Sequence, residues 1–570
     1  MRVAIIREKM KSPRGTGFSG LITNLRNIIL LARYLFLLGI LFLFAGYEAA
    51  NPKFGNTSIE FYSSDFRLGL KDIILKETTD SAATLKVSDL TAEFFVSRQY
   101  MPAWTLNFEV NDQYKKLNML FSEAMNYGLF PADYSIRTLD RLEAAMAGTG
   151  NDEQKLNARI EFELTATESA LRFMTHLSAG YRHDDTTSFY FSLCEKLPAY
   201  LNQITVENSI REGVLSLQPS NKEYIRLQHA LQLYLSRAGK DTVYYTVKEL
   251  QMNKQLIVER LCNQGFMDKN FAGDSAAVIT ALSKFQSIHN IESTGKLDSK
   301  TLSALALNTK DKFIKIAINL DRLRKNRLQN DNCVLVNIPE FRLYYYNPKG
   351  ELRSFNVIVG KKYTPTPLLE SRIERIIANP YWTVPKSITF NEFIPRIKKD
   401  SLYLQKHGYS VIDNFENPVE ASKIDWNNAR RGEFNYWIRQ PNGSNNALGA
   451  VKFLFPNQYS VYLHDTPSKK LFGRKVRAFS HGCIRVQNPE KLAQSILEDY
   501  TQNKNGEKVD LMNIISKKDR EELKLDKALP LYIRYYTCTA DTLGNIYYHP
   551  DIYNKDKGSI EEIMAYAYAN

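Results

Sequence analysis

The sequence predicts an α+β multidomain protein: a mostly helical N-terminal half, a β-rich C-terminal domain carrying an inserted helical subdomain, and a membrane helix ahead of both. Three observations predict it. At 570 residues the chain exceeds what one hydrophobic core serves. Apolar residues recur at helical spacing up to about residue 327, then alternate as strands from Cys333 onward. Residues 28–46 are almost wholly apolar, broken only by Arg33 and Tyr34, and are long enough to span a bilayer.

Arg2, Arg7, Lys9, Lys11, Arg14 and Arg26 make residues 1–26 a basic tail, expected in the cytoplasm, before a signal anchor at 27–47. A cleaved signal peptide is the alternative. The run Tyr47-Glu48-Ala49-Ala50 is a poor small-x-small cleavage site, and Tyr47 stands where a lipoprotein box needs cysteine. An uncleaved inner-membrane anchor, with the rest of the chain in the periplasm, is therefore expected.

Residues 51–245 read as a tether and a helical domain, with helices over 114–127, ended by Gly128, and over 160–177, ended near Gly180. Residues 246–309 form a small three-helix unit: Leu282, Phe285 and Ile288 lie at helical spacing, while Gly295 and Asp298 fit a turn and a helix start. One more helix covers 313–327, within a connecting segment 310–330. The β-rich domain spans 331–570. Strands 334–338 and 341–346 flank Pro339-Glu340 and 355–360 follows. Residues 390–436 carry helix patterns and Trp426. Asn488 and Pro489 begin a helix to about Tyr500, and 531–537 with 545–548 make a last pair of strands.

A hydrophobic share of 44% and a charged share of 24% are ordinary for globular protein, and the net charge is +13. Attraction to an anionic membrane or wall polymer accounts for that charge. No basic helix with interleaved aromatics, zinc pattern or helix-turn-helix is present, so nucleic acid is not an expected partner. The five cysteines are scattered without paired spacing, which argues against a disulfide scaffold.

The chemistry concentrates in Ser480-His481-Gly482-Cys483-Ile484-Arg485-Val486. A cysteine attacks carbonyls as its thiolate and needs a base or an electropositive surround. Nineteen residues upstream, Tyr462-Leu463-His464-Asp465 supplies a histidine on an alternating run, 460–465, with Tyr462 and His464 on one face and Val461 and Leu463 on the other. Gly482 permits close backbone approach, so amides around Cys483 suit a developing oxyanion. A buried thiol beside a satisfied imidazole is the plainer reading. A metal site from His464, His481 and Cys483 has no fourth ligand at the usual spacing.

These runs, with Gln440-Pro441-Asn442-Gly443, Asn446-Ala447-Leu448-Gly449, Lys452-Phe453-Leu454-Phe455-Pro456-Asn457 and Leu463-His464-Asp465-Thr466-Pro467, resemble the catalytic core of the large, YcbB-like L,D-transpeptidases, which cross-link peptidoglycan. The resemblance implies a β-rich catalytic domain at 331–570 with a capping subdomain at 390–436. It further implies a scaffold domain, to which Asn319-Leu320-Asp321-Arg322 returns the chain, and a peptidoglycan-binding-like domain at 246–309. Its function would be to form 3→3 cross-links through a thioester on Cys483, with His464 as general base and acid. Carboxypeptidation, D-amino-acid exchange and a non-enzymatic wall anchor remain as alternatives. His481 is expected as a structural or oxyanion-side residue, and Tyr462 as an oxyanion donor or donor-peptide contact. Asp465, on the opposite strand face, is not expected to hold the imidazole; a backbone carbonyl is. Arg485 either orients the loop, pairs a substrate carboxylate or forms a structural salt bridge. Ser480 and Trp382 are expected at the substrate, Trp382 as groove wall or as core residue. No cofactor is implied. The expected partners are tetrapeptide donor stems and an amine acceptor, and carbapenem β-lactams are the expected inhibitors.

Overall fold

The computed structural model describes residues 59–77, 88–181, 192–237, 243–501 and 509–568. The chain divides into two compact units, Met1–Gly69 and Leu70–Asn570, the division falling inside the helix Ile59–Glu77. The basic tail and the anchor expected at 27–47 lie outside the described residues. Among those described, no helix is long and apolar enough to cross a membrane.

In the second unit the helical domain is built around Asp152–Ala179, which opens with a capping box between Asn151 and Gln154 and ends at Gly180. The helix expected at 160–177 is its core. Gly180 adopts φ +84, and a Cβ there would meet the Asp321 carboxylate at 2.4 Å, so glycine is required twice over. The span expected as one helix at 114–127 splits into Asp112–Ser122 and a 3₁₀ turn, Ala124–Tyr127. Thr309–Lys325 returns to this domain: Asp321 accepts the Tyr181 N–H at 2.7 Å, and the buried Arg324 donates to the Tyr224 hydroxyl at 3.0 Å.

The small unit has four helices, not three: Val247–Met252, Lys254–Asn263, Ser275–Ile288 and Ser299–Ala306. Asn253 leaves helical backbone and caps the following helix through the Gln255 N–H, which breaks what reads as one segment. Leu250, Ile257, Leu261, Leu282, Phe285, Leu302 and Leu305 form its core.

The β-rich domain holds nine strands in one sheet: β1 (Cys333–Asn337), β2 (Arg342–Tyr346), β3 (Leu352–Gly360), β4 (Leu369–Ala378), β5 (Val451–Leu454), β6 (Leu463–His464), β7 (Ala478–Ser480), β8 (Ile484–Val486) and β9 (Glu521–Arg534). Their order is β7-β3-β8-β6-β5-β4-β9-β1-β2, and β2 also pairs with β3, which closes the ring of pairings. The parallel pairing of β6 with β8 sets His464 beside Arg485, and the antiparallel pairing of β5 with β6 sets His464 beside Lys452. Alternation sends Val461 and Leu463 into the core, while Tyr462 and His464 share the other face.

Between β4 and β5 the inserted subdomain is wider and less helical than expected. Its core runs from Val384 to Ile438, and a four-stranded sheet starts at Trp382–Thr383 and ends at Trp437–Gln440. Its other strands, Ser410–Ile412 and Pro418–Val419, are too short to alternate visibly. Two further differences are local. Asn488 precedes the helix Pro489–Tyr500 in a left-handed conformation and makes no side-chain cap. The last hairpin is Cys538–Ala540 with Ile546–Tyr548, because residues 531–534 belong to β9 and pair with β1.

Candidate active site

Cys483 lies in the three-residue turn between β7 and β8, half-buried against the sheet core. Gly482 has φ +118, a conformation that side chains rarely adopt, and this sharp turn presents the thiol. Ser480, buried, ties the turn to itself: its hydroxyl donates to the Cys483 carbonyl at 2.5 Å and accepts the Gly482 N–H at 3.1 Å. The Gly482 amide is thereby spent. Ser480 acts on the turn's shape, not on a ligand.

A loop the sequence reading passed over clamps this turn from outside. Thr366 donates to the Gly482 carbonyl at 2.8 Å and accepts the Gly360 N–H at 2.9 Å. Thr364 donates to the Ser480 carbonyl at 3.1 Å, and Tyr553 donates to the Gly360 carbonyl at 2.8 Å.

Around the sulfur, burial raises the thiol above the ordinary cysteine value. The Tyr462 N–H, the Lys452 ammonium, the Tyr462 hydroxyl and the Arg485 guanidinium all pull it back toward thiolate. Burial also keeps the Tyr462 hydroxyl protonated far above neutral pH, so it is a donor there. Lys452 sits over the Tyr462 ring at 3.9 Å, a cation–π contact. Lys452 opens the run Lys452-Phe453-Leu454-Phe455-Pro456-Asn457, where sequence alone marks no role for it.

His464 is buried, and its ring meets Tyr462 edge-on at 5.5 Å. Burial first, then Arg485 and Lys452, push its pKa down to about 3, against the Asp465 carbonyl, which favours the imidazolium. The resting imidazole is therefore neutral and able to take a proton. Its Nδ1 is buried with no hydrogen-bond partner. The Asp465 carboxylate is turned away: it accepts the Ala450 N–H at 3.0 Å and the Thr466 N–H at 2.7 Å, and pairs with Lys469. Gly449 makes room for it, since a Cβ there would stand 2.2 Å from the carboxylate.

His481 faces elsewhere. Its Nε2 pairs with the Glu392 carboxylate of the inserted subdomain at 2.8 Å. Arg485, by contrast, makes no ion pair or hydrogen bond among the described residues, and its Nε is buried unpaired. Trp382 is half-buried and packed edge-on to Phe393 and Tyr409, and its indole favours the ionised form of the Tyr462 hydroxyl against the burial that raises it. It thus joins the inserted subdomain's core to the site. The structure brings Cys483, His464, Tyr462, Trp382 and Arg485 together with Lys452, and sets Ser480, Gly482 and His481 as supports of the turn. Among the described residues no group of three or more His, Cys, Asp or Glu is arranged to hold a metal ion.

Two stretches of the chain are similar to known families. Residues 331–510 match the YkuD family, described as the L,D-transpeptidase catalytic domain, and residues 89–231 match a family described as the scaffold domain. A Haemophilus influenzae protein named "Putative L,D-transpeptidase" is 34% identical over 245 residues, which are 43% of this chain and 48% of that relative. The chain spans about half the length of the curated relative it matches.

Proposed function

We propose that this chain, whose residues 331–510 form an L,D-transpeptidase catalytic domain, makes 3→3 peptidoglycan cross-links by acyl transfer through Cys483. The observation that carries the reading is the thiol set among Tyr462, Lys452 and Arg485 with a neutral His464 on the same sheet face. In the first step the Cys483 sulfur bonds to the carbonyl of the L-centre in a donor tetrapeptide stem, and the thiol proton passes to the His464 imidazole. The tetrahedral oxyanion takes hydrogen bonds from the Cys483 N–H and the Tyr462 hydroxyl. Collapse breaks the amide bond, and the imidazolium returns its proton to the departing D-Ala amine. An acceptor amine then attacks the thioester, His464 takes its proton, and the thiol is restored.

Arg485 supplies a half-buried guanidinium with no ion pair among the described residues, suited to the terminal carboxylate of the donor stem. Trp382 serves as the wall the inserted subdomain gives to the groove. Tethering at the inner membrane would place the site in the periplasm beside its polymer. The same acyl-enzyme would serve carboxypeptidation or D-amino-acid exchange, with water or a D-amino acid as acceptor.

Mass spectrometry of purified tetrapeptide muropeptides incubated with the full chain tests the reading. The expected products are cross-linked dimers lacking one D-Ala, with a thioester adduct on Cys483. Muropeptides left unchanged, or products formed equally by Cys483→Ala, would overturn it.

A further inference from the structure

We infer that Lys452 is a positioning residue for the nucleophile: its ammonium, held over the Tyr462 ring, supplies charge that sets how readily the Cys483 thiol ionises. The inference rests on Cys483 being the nucleophile, and it assigns a role to a residue that no motif reading singles out.

The geometry begins with the pairing of strands. Lys452 is the cross-strand partner of His464 on β5, and Arg485 is the partner of His464 on β8, so the imidazole lies between two cations in one row. Tyr462 shares the face of His464 two residues earlier, and its ring lies under the Lys452 ammonium at 3.9 Å. The same tyrosine lies beside Cys483 across the β6–β8 pairing, where its carbonyl accepts the Ile484 N–H at 3.1 Å, and both residues pack against the sheet core. Lys452 is thus fixed relative to the thiol through one rigid aromatic.

Nothing else occupies the ammonium. Lys452 makes no ion pair or hydrogen bond among the described residues, and the charged groups that act on it are Cys483, as an anion, and Arg520, as a like charge. The groups that shift the Cys483 thiol are Tyr462, Lys452 and Arg485, while His464 between the two cations is kept neutral by burial and His481 pairs with Glu392. A half-buried lysine without a carboxylate partner pays desolvation with no return until an anion forms beside it. The thiolate is that anion. Arg485 is the other cation here, but its buried unpaired Nε leaves it suited to substrate. Two cations of different type then divide the work, with the point-charged lysine for the sulfur and the planar guanidinium for a carboxylate.

Iodoacetamide alkylation of the full chain as a function of pH, followed by digestion and the mass of the peptide that carries Cys483, reads that thiol apart from the half-buried Cys262 and without peptidoglycan. Lys452→Met keeps the apolar stem, and Lys452→Arg keeps the charge. An opposite charge near a titrating group shifts it by about one to three pKa units. The alkylation midpoint of K452M is therefore expected to rise by about one unit, and K452R to restore most of it. Unchanged midpoints in K452M would overturn the inference. So would a rise in K452R equal to that in K452M, since that would mark a packing effect. Thermal melting of both variants separates misfolding from titration. The proposed transpeptidation fails on a different readout, since muropeptides left unchanged by a wild-type chain whose thiol midpoint K452M still raises would sink that reading and leave this one standing.

Discussion

Thr366 holds the catalytic turn from outside the motif, and replacing it with valine isolates that contribution. Thr366→Val conserves shape and removes one hydroxyl that is nearly fully buried. That hydroxyl satisfies two backbone groups at once, the Gly360 N–H at 2.9 Å and the Gly482 carbonyl at 2.8 Å. An unsatisfied buried polar group costs about 1–3 kcal/mol. The amide has a single proton to place and the carbonyl a spare lone pair, so the N–H carries the larger share. Both bonds are buried, and with the carbonyl's share small, about 2 kcal/mol in local opening is the expected sum. At about 1.4 kcal/mol per factor of ten, amide exchange across residues 359–362 and 480–484 should quicken by about 30-fold, with the scaffold helices unchanged. Hydrogen exchange by mass spectrometry reads this peptide by peptide, and acylation of Cys483 should slow in step. Thr366→Ser should restore both. Exchange in those two segments equal to wild type would refute the assignment, because it would mean that the turn keeps its shape without the clamp.

Cys483→Ala should fold and yet form no thioester and no dimers, and a carbapenem mass adduct seen on wild type should be absent from it. His464→Ala should slow acylation by ~10²–10⁴-fold, the usual cost of a lost general base. His481→Ala should cost less than about tenfold, because its half-exposed pair with Glu392 is worth at most about 1 kcal/mol; rates in the reverse order would exchange the two roles. Acid titration gives an independent check on His464. Its pKa is about 3 folded against about 6.5 unfolded, so between those values the unfolded chain binds a proton the folded one does not, and stability falls as pH falls. His464→Gln should flatten that slope by about 1.4 kcal/mol per pH unit in denaturant titrations of the full chain. His176, also pushed down to about 3, should keep its own slope in both proteins.

What was legible in the sequence follows from how far apart the participants are. Cys483, Gly482 and Ser480 make one turn, and the hydrogen bonds from Ser480 that shape it span two and three residues, so motif reading reaches them. Tyr462 and His464 were placed on one face by period-two alternation, and the same alternation turned Asp465 away; the structure gives its carboxylate to Ala450, Thr466 and Lys469. Thr366 was invisible because it meets Gly482 across 116 residues of chain. Glu392 meets His481 across a domain insertion, and a glutamate on an exposed helix face looks like any solvated charge. Lys452 was hidden differently. It stands inside a quoted run, but its meaning depends on which strand pairs with β6, and strand order is not written in strand composition. Local periodicity therefore reaches Cys483 and His464, while the charges and clamps around them come from the register of β5, β6 and β8 and from the loop that carries Thr366. Variants designed from the motif alone would test only whether the site exists. Variants at Lys452 and Thr366 test how the closed sheet makes that thiol reactive.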